Sequence, residues 1–571
     1  MVGMYIATIP NRSSPPAILL REGYREGGKV RTRTLANLSK LPPEAIEVLR
    51  QVLKGDKLIQ ADDAFEAITS LHHGHVQAVL DTMRRLGFAQ LIASRPSRQR
   101  NLVVAMVAAR ILEPDSKLGT TRWWNLTTLP TLLGVSDADE EDLYVAMDWL
   151  LERQPFIEKK LAARHLHHDG MALYDLSSSY FEGRCCPLAA LGENRDGKKG
   201  KLQVNYGLLT DPRGIPVAVS VFKGNTGDPT TLLPQADKVR NDFHLESFVL
   251  VGDRGMIAQK QIDALRQLDG IDWIAALRPA AIRKLLDGGA LQLGLFDKRN
   301  LFELTHPDFP DERLVACRNL ELAKRRVHKR TSLLEATAKE LEKVHRMVQR
   351  GRLRGQDDIG VRVGKVVNKY KVAKHFKLTI EDTSFDFEID TDKVAAEAAL
   401  DGIYVLHTSL SEERMSAEET VRSYKRLTQV ERAFRSFKTM DLEIRPIHHR
   451  LERRVRAHIF LCMLSYYVLW HMLQAWRPLL FCDEDLQAKA TRDPVAPAKR
   501  SAAALRKTHF KTLDDGSEVH SFHTLLKLLS GIVRNVCRVP GAPPDAPTFD
   551  VVTTPSAKQQ HAYQLLETIK M

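Results

Sequence analysis

The stretch GMALYDLSSSYFEG, residues 170–183, begins the part of the chain that decides the fold, and its apolar run predicts a β-strand. Six further predicted elements follow it: the strands LQVNYGLLT (202–210) and IPVAVSVF (215–222), the helix 230–244, the strand FVLVGDRG (248–255), the helix 258–269 and the strand DWIAAL (272–277). The residues DPRG between the second and third strands are a hairpin turn signal. The predicted order is therefore β-β-β-α-β-α-β.

Three consecutive strands followed by alternating helices and strands match the topology of the ribonuclease H fold. Asp175 lies on the first of these strands, and Asp253 lies at the end of the fourth. We therefore predict an α/β protein with a ribonuclease H-like core, in which helices flank a mixed sheet. An α+β insertion interrupts this core, and the N- and C-terminal regions are helical.

Changes in the predicted secondary structure along the chain divide it into six regions. They are a small β-rich N-terminal module (1–58), a helical DNA-binding region (59–168), the first part of the core (169–280), an insertion with a long basic helix and strands (281–400), the second part of the core with the helix that carries Glu431 (401–470) and a helical C-terminal region (471–571). A plain helical bundle is an equally good interpretation of the second region. Ser416, followed three residues later by Glu419, predicts the start of the Glu431 helix.

Composition narrows the class of protein. A chain of 571 residues with a net charge of +13 indicates a polyanionic partner, and nucleic acid is the commonest one. Six scattered cysteines without a Cys-x-x-Cys pair argue against a disulfide framework and a zinc site. The stretch HIFLCMLSYYVLWHML, residues 458–473, is short for a membrane span and predicts a buried helix. We expect a cytoplasmic protein that does not bind membranes.

The segment SYKRLTQVERAFRSFKT, residues 423–439, carries the most informative spacing in the chain. Tyr424, Glu431 and Lys438 are seven residues apart, close to two helical turns, so one helix face would present all three. A phenol, a carboxylate and an ammonium on one face suit a group that holds a metal ion beside a phosphate.

Asp175, Asp253 and Glu431 form a candidate catalytic and metal-binding trio. Mg²⁺ prefers carboxylate oxygens, and two such ions could activate the attacking oxygen and stabilise the leaving oxygen in phosphodiester cleavage. Asp175 would bridge both ions, while Asp253 and Glu431 would each hold one, and Mn²⁺ can substitute. Each residue alone has an ordinary interpretation, as a turn residue or as part of a solvated helix face. The combination is less ordinary, because the fold order predicts acidic residues at these places.

The pattern Tyr-x2-Arg-x3-Glu-x6-Lys, with an earlier Asp-x-Gly motif, resembles the insertion-sequence transposases of the IS4 superfamily, and most closely its IS1634-type branch. Tyr424, Glu431 and Lys438 match the pattern, Asp253 begins the second motif, and Asp175 matches the first aspartate. The chain departs from the family at the arginine position, which is Leu427 here, with Arg426 beside it.

The resemblance implies a DDE mechanism, in which water frees a 3′-OH at each transposon end and that hydroxyl attacks the opposite strand or target DNA. It implies double-stranded DNA partners, namely terminal inverted repeats and target DNA, and a homodimer on DNA near the bacterial nucleoid. The candidate DNA-binding residues are Tyr424, Arg426, Lys438, Arg435 and Arg254. Two alternatives remain: an inactive transposase-derived DNA-binding regulator, for which Leu427 leaves room, and a stand-alone nuclease with a ribonuclease H fold.

Overall fold

The protein divides into two compact units in a computed structural model. The structure describes residues 3–12, 14–56, 64–292, 294, 296–297, 300–483, 485, 492–496 and 499–570. The smaller unit comprises residues 1–70 and 534–553, and the larger unit comprises 71–533 and 554–571.

Among its described residues, the smaller unit contains two three-stranded sheets and one helix. Its elements are β1 (Gly3–Ile9), β2 (Ala17–Glu26), β3 (Lys29–Asn37), α1 (Pro43–Leu53), β4 (Glu66–His72), β15 (Val533–Arg538) and β16 (Phe549–Val552). The first sheet has the order β1-β2-β3, and β2 turns into β3 through Gly27 and Gly28, both at positive φ as a tight hairpin requires. The second has the order β16-β15-β4, so it joins segments from opposite ends of the chain.

The larger unit begins with a group of helices. They are α2 (Gly74–Arg85), α3 (Phe88–Ile92), α4 (Arg98–Leu112), α5 (Lys117–Trp124), α6 (Leu129–Leu133), α7 (Glu140–Leu151) and α8 (Gln154–His165). Every residue of α4 from Leu102 to Leu112 is buried, as its nearly continuous apolar sequence predicts. This helix packs against α7 and against α17 (Glu452–Ala475), which is itself buried along most of its length.

The predicted β-β-β-α-β-α-β order is present in the next part of the chain. Its elements are β5 (Gly170–Tyr180), β6 (Gln203–Thr210), β7 (Pro216–Lys223), α9 (Asp228–Asp237), β8 (Phe248–Val251), α10 (Gln259–Leu265) and β9 (Ile271–Ala276). Strand β5 pairs antiparallel with β6 and parallel with β8, and β8 pairs parallel with β9. Helices α8 and α17 pack on β7. The fold is therefore mixed α/β, with a large mixed sheet flanked by helices.

The following segment extends this sheet and adds a second core. Its elements are α11 (Pro279–Asp287), β10 (Leu301–His306), β11 (Phe309–Arg318), α12 (Leu320–Gln349), α13 (Gln356–Tyr370), β12 (Phe376–Ile380), β13 (Phe385–Ile389), α14 (Thr391–Ala398) and β14 (Ile403–Thr408). The full sheet order is β10-β11-β14-β9-β8-β5-β6-β7. A separate apolar cluster that includes Leu341, Val363 and Phe385 holds the second half of α12 against α13 and the β12-β13 hairpin. The long basic helix predicted for the insertion is thus α12.

Helices make up most of the remaining part of the larger unit. They are α15 (Ala417–Lys425), α16 (Leu427–Arg435), α17, α18 (Ala502–Phe510), α19 (Phe522–Ser530) and α20 (Ala557–Glu567). Ser416 caps α15 by accepting the Glu419 N–H at 3.3 Å, as predicted. Within the residues described, the search for helices long and apolar enough to cross a membrane found none.

The prediction of one continuous helix for Tyr424, Glu431 and Lys438 is wrong. Helix α15 ends at Lys425, α16 starts at Leu427, and a π-helical turn, Ser436–Met440, follows. At the junction, the N–H of Gln429 bonds to the carbonyl of Arg426, three residues back. In the π turn, the N–H of Asp441 bonds to Ser436, five residues back. These bonds tighten the helix at Arg426 and widen it after Ser436.

Candidate active site

Asp175 lies in the middle of β5, at the centre of the large sheet. Its neighbours Tyr174 and Leu176 are buried, while Asp175 itself is half-buried. Burial raises the pKa of the Asp175 carboxyl to about 7, against the opposing effects of a 2.8 Å hydrogen bond from the Leu176 N–H and of the Arg195 charge. The negative charges of Asp253 and Glu431 raise this pKa further. The three predicted carboxylates therefore lie close enough to interact.

The register of the paired strands β5 and β8 brings Asp253 near Asp175. Leu173 on β5 pairs with Val251 on β8 in parallel, and the two aspartates each come two residues later. The pairing of β5 with β8 ends at Leu173 and Val251, so Asp175 and Asp253 occupy equivalent positions just beyond the last paired residues. Oδ1 of Asp253 accepts hydrogen bonds from the Arg254 N–H at 2.7 Å and from the Tyr424 hydroxyl at 3.1 Å.

Helix α16 positions Glu431 by burying its opposite face. Val430, Ala433 and Phe434 are buried, and α16 packs on β5. The Phe434 ring meets the ring of Tyr206, with centroids 5.8 Å apart. Glu431 is exposed, and its charge acts on Asp175. Across the part of the chain that the structure describes, no three acidic, histidine or cysteine side chains stand close enough together to hold a metal ion as they are.

Tyr424 stays protonated in this environment. Burial raises the pKa of its phenol well above the usual value, and the charge of Asp253 and their hydrogen bond raise it further. Its hydroxyl therefore remains a donor to the Asp253 carboxylate, which holds one member of the trio in place.

Lys438 lies in an ionic network that its sequence position does not reveal. Its Nζ donates to Oδ1 of Asp196 at 2.9 Å, and the Arg445 guanidinium contacts the same oxygen at 2.5 Å. Oδ2 of Asp196 accepts the Tyr180 N–H at 3.0 Å, and this carboxylate is only 2% exposed. Burial lowers the pKa of Lys438, although the bond to Asp196 acts in the opposite direction.

Of the other candidate DNA-binding residues, two are exposed to solvent and one is held in an ion pair. Arg254 and Arg435 are exposed, the first beside Asp253 and the second on α16. Arg426 forms an ion pair with Glu419 at 2.9 Å. Leu427, at the family's arginine position, is 9% exposed and packs into the main apolar core. That position therefore contributes packing rather than charge.

A cavity of about 220 Å³ opens beside Asp253. Its lining combines charged and apolar side chains, among them Arg254, Arg326, Ile282, Tyr404 and Tyr424. Arg326 belongs to α12, so this helix contributes a cation to the surroundings of Asp253.

The sequence was compared with models of protein families, and two match. A family described as "Transposase DDE domain" matches residues 184–468, which include Asp253 and Glu431 and begin after Asp175. A family described as "IS1634 family transposase, N-terminal domain" matches residues 6–64. The comparison with curated proteins gave no match.

Among solved structures, the chain is similar to a piggyBac transposase in a cryo-EM structure of its synaptic complex with hairpin DNA. The sequence identity is 8% and the TM-score is 0.33, with 80% of this chain and 78% of that chain covered.

Proposed function

Because this chain belongs to the IS1634-type family of DDE transposases, we propose that it cuts and rejoins DNA at the ends of an insertion sequence. The observation that supports the proposal is that Asp175 and Asp253 each lie two residues after a paired position on adjacent parallel strands, and that the charges of Asp253 and Glu431 both act on Asp175. A half-buried carboxyl that feels two further carboxylates, as at Asp175, is an arrangement that a bound cation would stabilise.

The donor set fits Mg²⁺, because all three groups supply carboxylate oxygens. Two bound Mg²⁺ ions would activate the attacking oxygen and stabilise the leaving oxygen. Asp175 would contact both ions, with Asp253 and Glu431 holding one each. The Asp175 carboxyl, with a pKa of about 7, would release its proton as it binds metal. The Tyr424 hydroxyl would keep Asp253 oriented through the hydrogen bond it already makes.

The order and direction of the strands support the proposal of a ribonuclease H-like core. The partial order β7-β6-β5-β8-β9, with β6 antiparallel and β8 parallel to β5, agrees with three hairpin-connected strands followed by two parallel strands. In that fold, acidic residues on the first strand, at the end of the fourth strand and on a later helix would converge. Asp175 lies on β5, Asp253 lies two residues after β8, and Glu431 lies on α16. The inserted α12 would then add a basic surface for DNA next to the site.

The partners we propose are the terminal inverted repeats and target DNA, bound by a homodimer in which each subunit acts on one end. The net charge of +13 supports a polyanionic partner. Exposed cations near the carboxylates, Arg254 and Arg435, would contact DNA phosphates.

A cleavage assay tests this function directly. Purified wild-type protein would be incubated with labelled DNA from the flanks of its own gene in the presence of Mg²⁺. The variants Glu431→Gln and Glu413→Gln would be assayed in parallel. Glu413 is an exposed residue before α15 and serves as the matched control. We expect discrete nicks with 3′-OH ends from the wild type and from Glu413→Gln, none from Glu431→Gln, and equal DNA binding by all three. Loss of binding together with cleavage in Glu431→Gln would instead assign Glu431 a structural role.

One observation favours a second function, that of an inactive DNA-binding regulator. Leu427 is buried and Arg426 is paired with Glu419, so neither presents a guanidinium at the family's arginine position. Specific binding to the gene's flanks without cleavage in Mg²⁺ or Mn²⁺ would establish the regulator and reject the transposase.

A further inference from the structure

Arg195 lies in the basic loop NRDGKKGK, residues 194–201, which follows β5. Its Nη2 is paired with Oδ1 of Asp228, the first residue of α9. Its Nη1 is buried and has no hydrogen-bond partner among the residues that the structure describes. One half of the guanidinium is thus fixed, while the other half holds an unsatisfied donor.

Three observations place the loop of Arg195 near Asp175 and Asp253. The Arg195 charge acts on both Asp175 and Lys438. Oδ2 of Asp228 lies 3.9 Å from the point where a Cβ on Gly255 would stand, and Gly255 is two residues after Asp253. The next residue, Asp196, is bonded to the main chain of β5 at Tyr180. The loop is therefore attached on one side to the strand of Asp175 and lies, on the other side, near the turn that carries Asp253.

A buried guanidinium N–H without an acceptor is costly, because the group has lost its hydrogen bonds to water. Native proteins rarely keep such a donor unless a ligand completes it. Arginine matches the geometry of phosphate, since its planar fork can donate to a phosphate oxygen while another N–H holds a carboxylate. A protein aspartate already occupies Nη2 here, so the group is oriented before any ligand arrives.

We propose that Nη1 of Arg195 binds a non-bridging oxygen of the scissile phosphate, with Asp228 holding the guanidinium in place. This assignment rests on the proposed function, because it requires DNA at the carboxylate trio. It also supplies a guanidinium to a site in which Leu427 is buried and Arg426 is paired elsewhere.

The first test measures single-turnover cleavage at saturating DNA by full-length Arg195→Ala, Arg195→Lys and Arg414→Ala. Arg414 is the matched control, because it pairs with Asp272 at 2.5 Å near the start of β9, away from the strand ends where the trio lies. Removing a donor that stabilises charge in the transition state costs on the order of a hundredfold in rate. We expect that loss in Arg195→Ala, a smaller loss in Arg195→Lys, and little change in Arg414→Ala. Added guanidinium ion should restore part of the rate of Arg195→Ala alone.

The second test needs no cleavage, so it separates this assignment from the proposed function. Binding is compared for DNA ends that carry either a phosphate or an uncharged methylphosphonate at the scissile position. The wild type and Arg414→Ala should bind the methylphosphonate more weakly, by about tenfold, the effect of losing one charged hydrogen bond. Arg195→Ala should bind both ends equally. If the wild type cuts no DNA, the proposed function fails while this comparison still decides the role of Arg195.

Three outcomes would overturn the assignment. The first is cleavage by Arg195→Ala within about threefold of the wild type. The second is an Arg195→Ala variant that still discriminates between the two DNA ends. The third is a loss of activity in Arg195→Ala that only matches its loss of folded protein in a thermal melt. Any of these results would assign the Arg195–Asp228 pair a purely structural role in holding the loop.

Discussion

The hydroxyl of Tyr424 makes a testable contribution through one hydrogen bond. It donates to Oδ1 of Asp253 at 3.1 Å, and burial keeps the phenol protonated. In Tyr424→Phe the ring would remain while the bond is lost, so Asp253 would be held less firmly. We expect cleavage at saturating DNA to fall about threefold to tenfold, the usual value of one hydrogen bond, with unchanged thermal stability. An unchanged rate would show that the Arg254 N–H alone orients Asp253.

The raised pKa of Asp175 predicts a pH-dependent stability in the absence of metal. Its pKa is about 7 in the folded protein, against an ordinary value of 3.8. The folded protein therefore keeps a proton that the unfolded chain releases, so ionisation of Asp175 destabilises the fold as pH rises from about 4 to 7. Asp175→Asn lacks this effect. In EDTA, its melting temperature should exceed that of the wild type by about 1–2 °C more at pH 8 than at pH 4.5. An equal difference at both pH values would contradict the prediction.

At the level of single residues, the sequence reveals acids on or next to apolar strands but not buried ion pairs in loops. Asp175 and Asp253 could be singled out because apolar runs mark β5, which carries Asp175, and β8, which Asp253 follows. Asp196 could not, because it sits in a run of lysines typical of an exposed loop. Its burial depends on Lys438, which is 242 residues away in the sequence. The same holds for Arg195, whose pairing with Asp228 requires the folded sheet.

The first half of α12 carries a run of exposed cations. Its residues from Lys324 to Lys329 are all exposed, whereas the second half packs in the separate apolar cluster. Arg326 from this half lines the cavity beside Asp253. Under the proposed function, this half of α12 would be a basic surface for the DNA backbone near the site.

Reversing two charges on this half of α12 tests that explanation. Arg325→Glu with Lys329→Glu should weaken DNA binding and reduce the slope of log affinity against log salt by about 2, one for each lost phosphate contact. The control is Lys343→Glu with Arg346→Glu on the same helix, since both residues already pair with glutamates. Fluorescence anisotropy across a salt series would measure both slopes. A similar loss in the control would indicate a general charge effect.

Strand order was readable from the sequence, whereas interruptions of helices were not. Turn residues and apolar runs separate β5 to β9 clearly, so their order could be predicted. The break at Arg426 could not, because the residues from Ser416 to Lys438 are compatible with one continuous helix. It depends on tertiary contacts: Lys425 bonds to the carbonyl of Pro494, and Leu427 enters the core. Likewise, β10 and β11 extend the large sheet only because β14 brings them beside β9.

For the whole molecule, the proposed function predicts a defined stoichiometry on DNA. Under that proposal, Asp175, Asp253 and Glu431 of one chain would cut one DNA end, and an insertion sequence has two ends that must be cut together. Two chains should therefore bind two ends. With a chain mass of 64.5 kDa, light scattering of Glu431→Gln with its terminal DNA should give the mass of two chains and two DNA duplexes. The uncut variant keeps the complex intact, and a scrambled duplex is the control. A single chain holding both ends would reject the dimer, because one trio would then have to serve both ends in turn.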